Sequence, residues 1–321
     1  MSAARALLPP ASTATAAGLA LGAAADLLFA DPRRGHPVAG FGQAAAALER
    51  RMWRDSRAAG VAYAGLCIGA AVGAGTAVSR LTAQHPVART AATALATWAV
   101  LGGTSLGRAA DTMAQHLDAG HLPAARGHLS TLAGRDPSGL GEPELVRATV
   151  ESVAENTSDA AVAPLFWGAV AGLPGLLGYR AANTLDAMVG YRSARYTRFG
   201  WAAARFDDVV NWVPARLTAA LTVAVAPLAG GSAGAAWQVW HRDGGAHPSP
   251  NAGRCEAALA GALGLRLGGR NVYGTRVEER PTLGDGRAPV RADVGRAVRL
   301  SRAVWTGAAV LAVLSRLPRR R

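Results

Sequence analysis

The chain has 321 residues; half are hydrophobic and only 17% are charged, below the roughly 25% usual for soluble domains. Its formal charge of +13 is carried on the basic side entirely by arginine, because the sequence contains no lysine. That composition excludes P-loop lysine and Schiff-base chemistry. It also argues against a purely soluble chain, which would need an unusually large core to bury so many apolar runs.

In chain order, the stretches free of Asp, Glu, Lys and Arg are 6–25, 58–79, 90–107, 160–179 and 217–240, with a shorter one at 303–315. A helix needs about 20 apolar residues to cross the hydrocarbon core. The first five runs are near that length, and the sixth suits an interfacial or half-crossing helix. The expected fold is all-α: a multi-pass integral membrane protein forming one domain over 1–321. It would have about four to six apolar helices, some broken or re-entrant, and helical polar loops. The arginines flank the apolar runs, as at Arg33-Arg34, Arg50-Arg51, Arg54, Arg57 and 316–321. This placement suits anionic lipid, so the lipid bilayer is an expected partner and nucleic acid is not.

The first run leads into Asp26-Leu27-Leu28-Phe29 rather than a small-residue cleavage site, so it reads as a retained helix. Segment 26–57 holds six Arg and segment 80–89 two, which places 26–57, and by alternation 108–159, in the cytoplasm. Within 108–159, Met113, Leu117, Leu122, Ala125, Leu129 and Leu132 recur at helical spacing, and Gly134-Arg135-Asp136-Pro137 breaks the pattern. A second helix starts near Glu142 with acidic residues in its first turn and continues to Asp159. Strict alternation would put 180–216 outside. The run 160–179, however, carries Ala163-Pro164 and Gly172-Leu173-Pro174-Gly175, and irregular backbone at membrane depth is tolerated where it is buried in protein or lines a cavity. A broken or re-entrant segment is expected there, and Pro227 and Gly230-Gly231 raise the same expectation for 217–240. No strand signal is found. Cys67 and Cys255 belong to no C-x-x-C, so neither a disulfide framework nor a zinc site is expected.

The densest polar chemistry lies between 135 and 216. Glu151, Glu155 and Asp159 are spaced by four on one helix, with Asn156 beside them. Like charges at that spacing repel, so stability alone does not explain them. Beyond the apolar run come Arg180, Asn183, Asp186, Arg192, Arg195, Arg205, Asp207, Asp208, Asn211 and Arg216. Ionisable groups at a membrane segment mark a function by default, although interhelical ion pairs would give the same pattern. Carboxylate and amide oxygens suit Mg²⁺ shared with phosphates, and the guanidinium fork suits phosphate itself. Asp31-Pro32 and His36-Pro37 form either a turn or a substrate contact. The rigid stretch from His247 to Gly253, with Asn251, leads into Glu256 and a short Ala/Leu helix.

Three strings carry a family resemblance: Arg147–Asp159 leading into Ala163-Pro-Leu-Phe-Trp167, Tyr179–Tyr191, and Asp207–Arg216. They closely resemble adenosylcobinamide-phosphate synthase, the integral-membrane family of cobalamin biosynthesis. The Asp26–Pro37 loop, the Gly134–Asp136 break and the His247–Gly253 stretch match its pattern too, so the likeness runs from about residue 20 to 300. Departures are Arg254-Cys255, where an aromatic residue and proline are expected, and Arg270, where proline is expected.

The resemblance implies a carbon–nitrogen ligase. Its reaction joins a propionate of adenosylcobyric acid to 1-aminopropan-2-ol phosphate or ethanolamine phosphate at the expense of ATP. It further implies Mg²⁺ held by some of Glu155, Asp159, Asp207 and Asp208. Glu151, Glu155, Asp159, Asp186, Asp207 and Asp208 stand as the catalytic candidates. The implied substrate-binding residues are Asp31, His36, Arg135, Asp136, Asn156, Arg180, Asn183, Arg192, Arg195, Asn211, Arg216, His247 and Asn251. The remaining expectations are a cell-membrane location with the site facing the cytoplasm, no tightly bound prosthetic group, and contact with other cobalamin-biosynthesis proteins. The alternatives are an intramembrane prenyltransferase, a transporter, and a non-catalytic scaffold. The prenyltransferase would want repeated D-x-x-x-D spacing on two helices and the transporter inverted repeats; neither is found.

Overall fold

The computed structural model describes residues 11–31, 35–134, 136–191, 193–273 and 276–318. In chain order the helices are α1 (Ala11–Phe29), α2 (Pro37–Met52), α3 (Arg57–Leu81), α4 (Pro86–Val100), α5 (Gly103–Asp118), α6 (Leu122–Leu129), α7 (Glu142–Thr157), α8 (Ala163–Val189), α9 (Trp201–Val210), α10 (Trp212–Val225), α11 (Ala233–Asp243), α12 (Ala252–Leu263) and α13 (Arg291–Arg316). Strands β1 (Leu267–Tyr273) and β2 (Arg276–Leu283) form one antiparallel hairpin. Among the described residues, five helical segments are long and apolar enough to cross a membrane: Ser12–Phe29, Arg57–Leu81, Glu142–Val189, Trp212–Ala229 and Arg291–Arg316. The fold is all-α and of the multi-pass membrane type.

Three expectations need correction. The run 90–107 is no single helix: α4 stops at Val100, Leu101 is extended (φ −74°, ψ 152°), and α5 begins at Gly103. Gly102-Gly103 offers little helix propensity, so the chain turns there. The run 303–315 is the end of the 26-residue α13 rather than a short helix of its own. Two of the arginines before it have carboxylate partners, Arg291 at Glu142 and Arg296 at Asp293. Finally, the β-hairpin was not anticipated. Its β-forming residues Val272, Tyr273 and Val277 are interleaved with glycine and arginine, which hides the alternation a strand normally shows.

Breaks expected in two apolar runs are present. A π-helical turn, Ser158–Val162, joins α7 to α8, and inside α8 Gly172 takes φ +65° just before Pro174. Only glycine adopts that conformation cheaply, and Pro174 removes a helical donor in the next turn. In 217–240, Ala226–Ala229 is a 3₁₀ turn ended by Gly230 at φ +70°, which separates α10 from α11.

The chain divides into two compact units. The first comprises Met1–Gly102, Ala163–Val210 and Ala308–Arg321. Here α1 lies against α4 through small residues: a Cβ on Gly18 would come within 2.4 Å of Thr93 Cβ, and one on Gly22 equally close to Thr97 Cβ. Such glycines let membrane helices approach closely. Thr90 Oγ1 donates to Ala14 O at 3.2 Å, and Trp98 Nε1 to Ala30 O at 2.7 Å, tying the pair together. Gly18→Leu should therefore cost about 1–3 kcal/mol by overpacking. Thermal unfolding of the detergent-solubilised protein measures it, and an unchanged midpoint would refute this packing.

The second unit comprises Gly103–Val162 and Asn211–Gly307. Met113, Leu117, Ala125 and Leu129, the periodic residues of α5 and α6, are all fully buried. At the start of α13, Asp293 is wholly buried and forms a clasp. Arg287 reaches both its oxygens at 2.6 and 2.9 Å, Arg296 donates at 2.8 Å, and the Val290 N–H donates at 2.9 Å.

Candidate active site

In the second unit, α7 carries Glu151 and Glu155, Asp159 follows in the π-turn, and the three differ in environment. Glu151 is buried; it accepts the Gly268 N–H at 2.8 Å and Arg147 Nη1 at 3.4 Å. Arg147 also donates to the Gly268 carbonyl, so the pair fastens the first residues of β1 to α7. Glu155, Asn156 and Asp159 are half-buried. Asn156 Nδ2 is held by Ser152, at 3.0 Å to its carbonyl and 3.1 Å to its hydroxyl. Asp159 falls in the π-turn, an irregularity frequent at functional sites because it re-aims side chains within a helix.

Helix α12 packs on both α7 and α10 and adds groups from a distant part of the sequence. His247 Nδ1 accepts the Ser249 N–H at 3.0 Å, which fixes the ring, and His247 Nε2 lies 3.9 Å from Glu256 Oε1, both side chains buried. Ser249 Oγ accepts the N–H groups of Asn251 (3.3 Å) and Ala252 (3.1 Å), so the Pro-Ser-Pro-Asn turn caps α12. Asn251 is buried at that cap. A Cβ at position 253 would sit 2.3 Å from His247 Cβ, which is why Gly253 follows.

Cys255 is fully buried and its thiol donates to Ala215 O at 3.7 Å. Burial pushes that thiol well above its ordinary value; the negative charges of Asp159 and Glu155 push it further, against an opposing hydrogen bond from Ser158. The folded protein at pH 8 should consequently resist maleimide labelling at Cys255 until it is denatured. Rapid native labelling, read by intact mass on a Cys67→Ala background, would contradict that burial. Glu256, Cys255 and Arg254 were missed as site residues. The available signal was a lone carboxylate, Glu256, inside an otherwise Ala/Leu-rich helix.

The remaining candidates of this unit are Asp136, Asn211 and Arg216. Asp136 is half-buried and accepts the Ser138 N–H (2.9 Å) and hydroxyl (2.7 Å), which hold its carboxyl below its ordinary range. Asn211 is buried just before α10. Arg216 donates to Trp212 O at 2.8 Å and lies 4.0 Å over the Trp212 ring.

The other candidates belong to the first unit. Arg180 donates to Val100 O and, at 3.2 Å, to Asn183 Oδ1; Asn183 Nδ2 reaches Asp207 Oδ1 at 3.4 Å. Asp207 is buried, whereas Asp208 pairs with Arg205 at 3.2 Å nearer the surface. The Asp186 carboxylate lies over Gly190, where a Cβ would come within 1.9 Å of its Oδ1. Arg195 donates to Glu49 Oε1 at 2.9 Å, stacks 4.6 Å over Trp53, and shares that oxygen with the Tyr196 hydroxyl at 3.0 Å. These bonds raise the Arg195 guanidinium above its ordinary value and tie α2 to the segment before α9. His36 caps α2 by accepting the Val38 N–H at 3.2 Å, with Asp31 3.8 Å away. Arg135 and Arg192 lie outside the described residues.

Among the described residues no three His, Cys, Asp or Glu side chains converge as a ready-made metal cage. The donors around Glu155 and Asp159 are hard oxygens and the neighbouring thiol is held protonated. That chemistry fits Mg²⁺, which keeps several waters and binds through one or two carboxylates, better than a soft metal.

A family model described as CobD/Cbib protein matches residues 19–301. The chain belongs to the CobD/CbiB family. Its relatives include the cobalamin biosynthesis protein CobD of Mycobacterium tuberculosis, 56% identical over 300 residues that cover 93% of this chain and 95% of that one. The CobD of Geobacter metallireducens is 47% identical, covering 84% and 87%. That of Chromobacterium violaceum is 42% identical, covering 89% and 92%. No solved structure matches. For this CobD/CbiB chain the match spans both units, and it includes α7, α12 and the loop from His247 to Asn251.

Proposed function

We propose that the protein is an ATP-dependent ligase that forms an amide between a propionate of adenosylcobyric acid and an amino-alcohol phosphate, giving adenosylcobinamide phosphate. The observation that carries the reading is the pair Glu155 and Asp159, half-buried on α7 and its π-turn in a chain of the cobalamin-biosynthesis family. Carboxylates kept at a membrane-embedded helix are costly without a cationic or proton-transfer task.

The chemistry balances as follows. The corrinoid carboxylate takes the γ-phosphoryl group of ATP and ADP leaves. The amine then attacks the acyl carbon of this acyl phosphate, and inorganic phosphate departs. Before it can attack, the substrate ammonium must lose a proton, and a carboxylate of the site receives it as general base. Mg²⁺, if bound through carboxylates of the second unit such as Glu155 and Asp159, would supply charge neutralisation to the ATP phosphates. Asn156, Asn211, His247 and Asn251 orient substrate groups by hydrogen bonding, and arginine holds phosphate through its planar fork. A cytoplasmic site would have access to ATP, and contacts with other enzymes of the pathway would deliver the corrinoid.

Turnover by purified protein in detergent, with adenosylcobyric acid, Mg-ATP and aminopropanol phosphate, tests the reading by mass spectrometry. The amide product should require all three. Well-folded protein that gives no product, alone or with membrane extract, would favour a transporter or a scaffold.

A further inference from the structure

The first unit contains a half-open cavity of about 190 Å³. Val38 and Phe41 of α2, Ala71 of α3, Val100 of α4, and Leu177 and Ala181 of α8 form its walls. Alanine at 71, at 181 and again at 99 leaves the space open. Arg180 completes the lining, yet the exposed wall is almost wholly apolar. The guanidinium is engaged with Val100 O and, at 3.2 Å, with Asn183 Oδ1, so the methylene stem faces the cavity. An engineered apolar cavity of about 150 Å³ in another protein stays dry and takes up benzene, so walls of this kind select hydrocarbon over water.

Position along α3 decides which hydrocarbon is at hand. That helix carries no charge between Arg57 and Arg80. At 1.5 Å per residue the two arginines stand about 35 Å apart, which suits a hydrocarbon layer of about 30 Å with one arginine at each interface. Ala71 lies within about 4 Å of their midpoint on the same rise. Helix α8 is held at that level: a Cβ on Gly178 would come within 2.7 Å of Val72 Cγ2, and one on Gly75 within 2.8 Å of Pro174 Cα. The cavity therefore lies at the depth of acyl chains, where water is scarce and lipid tails are the surrounding solvent. Left empty, a void of this size would forfeit packing on every wall.

We propose that one acyl chain of a bilayer lipid occupies this cavity as a resident part of the fold. The chain packs against the stem of Arg180 and so steadies the line of bonds from Arg180 to Asn183 and, at 3.4 Å, from Asn183 Nδ2 to Asp207 Oδ1. It is recognised by its hydrocarbon and not by its headgroup, and the site is independent of the amide-forming reading.

Full-length protein is stripped of lipid in detergent, then returned to phosphatidylcholine or to phosphatidylglycerol of equal chain length. Native mass spectrometry counts the lipid retained after a second wash, and thermal unfolding reads its effect. Wild type should keep one lipid of either headgroup and gain about 4–8 °C in midpoint on its return. Ala71→Phe puts a phenyl ring in the cavity, so it should lose the retained lipid and most of that gain. Ala99→Leu is a milder filling, should behave likewise, and serves where the phenylalanine variant fails to fold. Wild type that retains no lipid overturns the proposal, as does a folded Ala71→Phe or Ala99→Leu protein that retains one as before. Retention of phosphatidylglycerol alone would place recognition at the headgroup, and the proposal would be wrong. Toluene probes the remaining occupant, a free small hydrocarbon. If toluene raises the wild-type midpoint and lipid does not, the cavity serves a soluble apolar ligand instead of an acyl chain.

Discussion

Asp159→Asn is expected to reduce amide formation by about 10²- to 10⁴-fold, the usual contribution of a positioned general base. The residue lies in the π-turn between α7 and α8, half-buried, beside the thiol whose proton its charge helps to retain. Asparagine keeps the size and hydrogen bonding of the side chain but removes its basicity, so folding should survive. The deciding measurement is kcat at saturating ATP and amine across pH 6–10. If Asp159 is the base, the residual rate of the variant should rise with pH, because free amine becomes available without help. A folded Asp159→Asn protein with wild-type kcat would remove Asp159 from the chemistry. A raised KM with unchanged kcat would reduce its role to binding.

The second large effect is on stability. Asp293→Ala should destabilise the protein by about 2–3 kcal/mol, because the Val290 N–H loses its acceptor while the partly exposed guanidiniums of Arg287 and Arg296 can be hydrated instead. Its carboxylate accepts from Arg287, Arg296 and the Val290 N–H while wholly buried. Alanine leaves two guanidiniums without their counter-charge where α13 begins. Asp293→Asn keeps the shape and part of the bonding, and should fall between. Urea or thermal unfolding in detergent reads both, and a shift smaller than that of Gly18→Leu would show that solvent replaces the clasp. Turnover of the surviving folded fraction should be near normal, which separates this carboxylate from Asp159.

Composition alone made the membrane class legible, because charge-free runs near the thickness of a bilayer have few other uses. The expected breaks at 172–175 and 227–231 were equally readable: proline and glycine act locally, and the structure places a positive φ at Gly172 and Gly230. The run 90–107 misled because length and hydropathy do not record where a chain turns; Leu101 does so with no proline to announce it. The hairpin was hidden for a related reason, its pairing being a contact between segments rather than a property of either.

The same division holds for the site. Sequence determined which residues were chemically conspicuous and, through long matching strings, which family they belong to. Burial and partners were decided in three dimensions. Glu151 and Glu155 look alike at i and i+4, yet the first is bound to Gly268 and Arg147 while the second is half-open. Arg195 and Arg216 are both arginines beside aromatic rings, but among the described residues only Arg195 of the two has a carboxylate partner, Glu49, 146 residues away. Glu256 joins the acidic groups beside Cys255 only because α12 packs on α7. Charge and helical periodicity are inherited from neighbours along the chain, so sequence alone determined the class, the breaks and the candidate residues. Which charges are compensated depends on residues far away, and that only the tertiary structure decided.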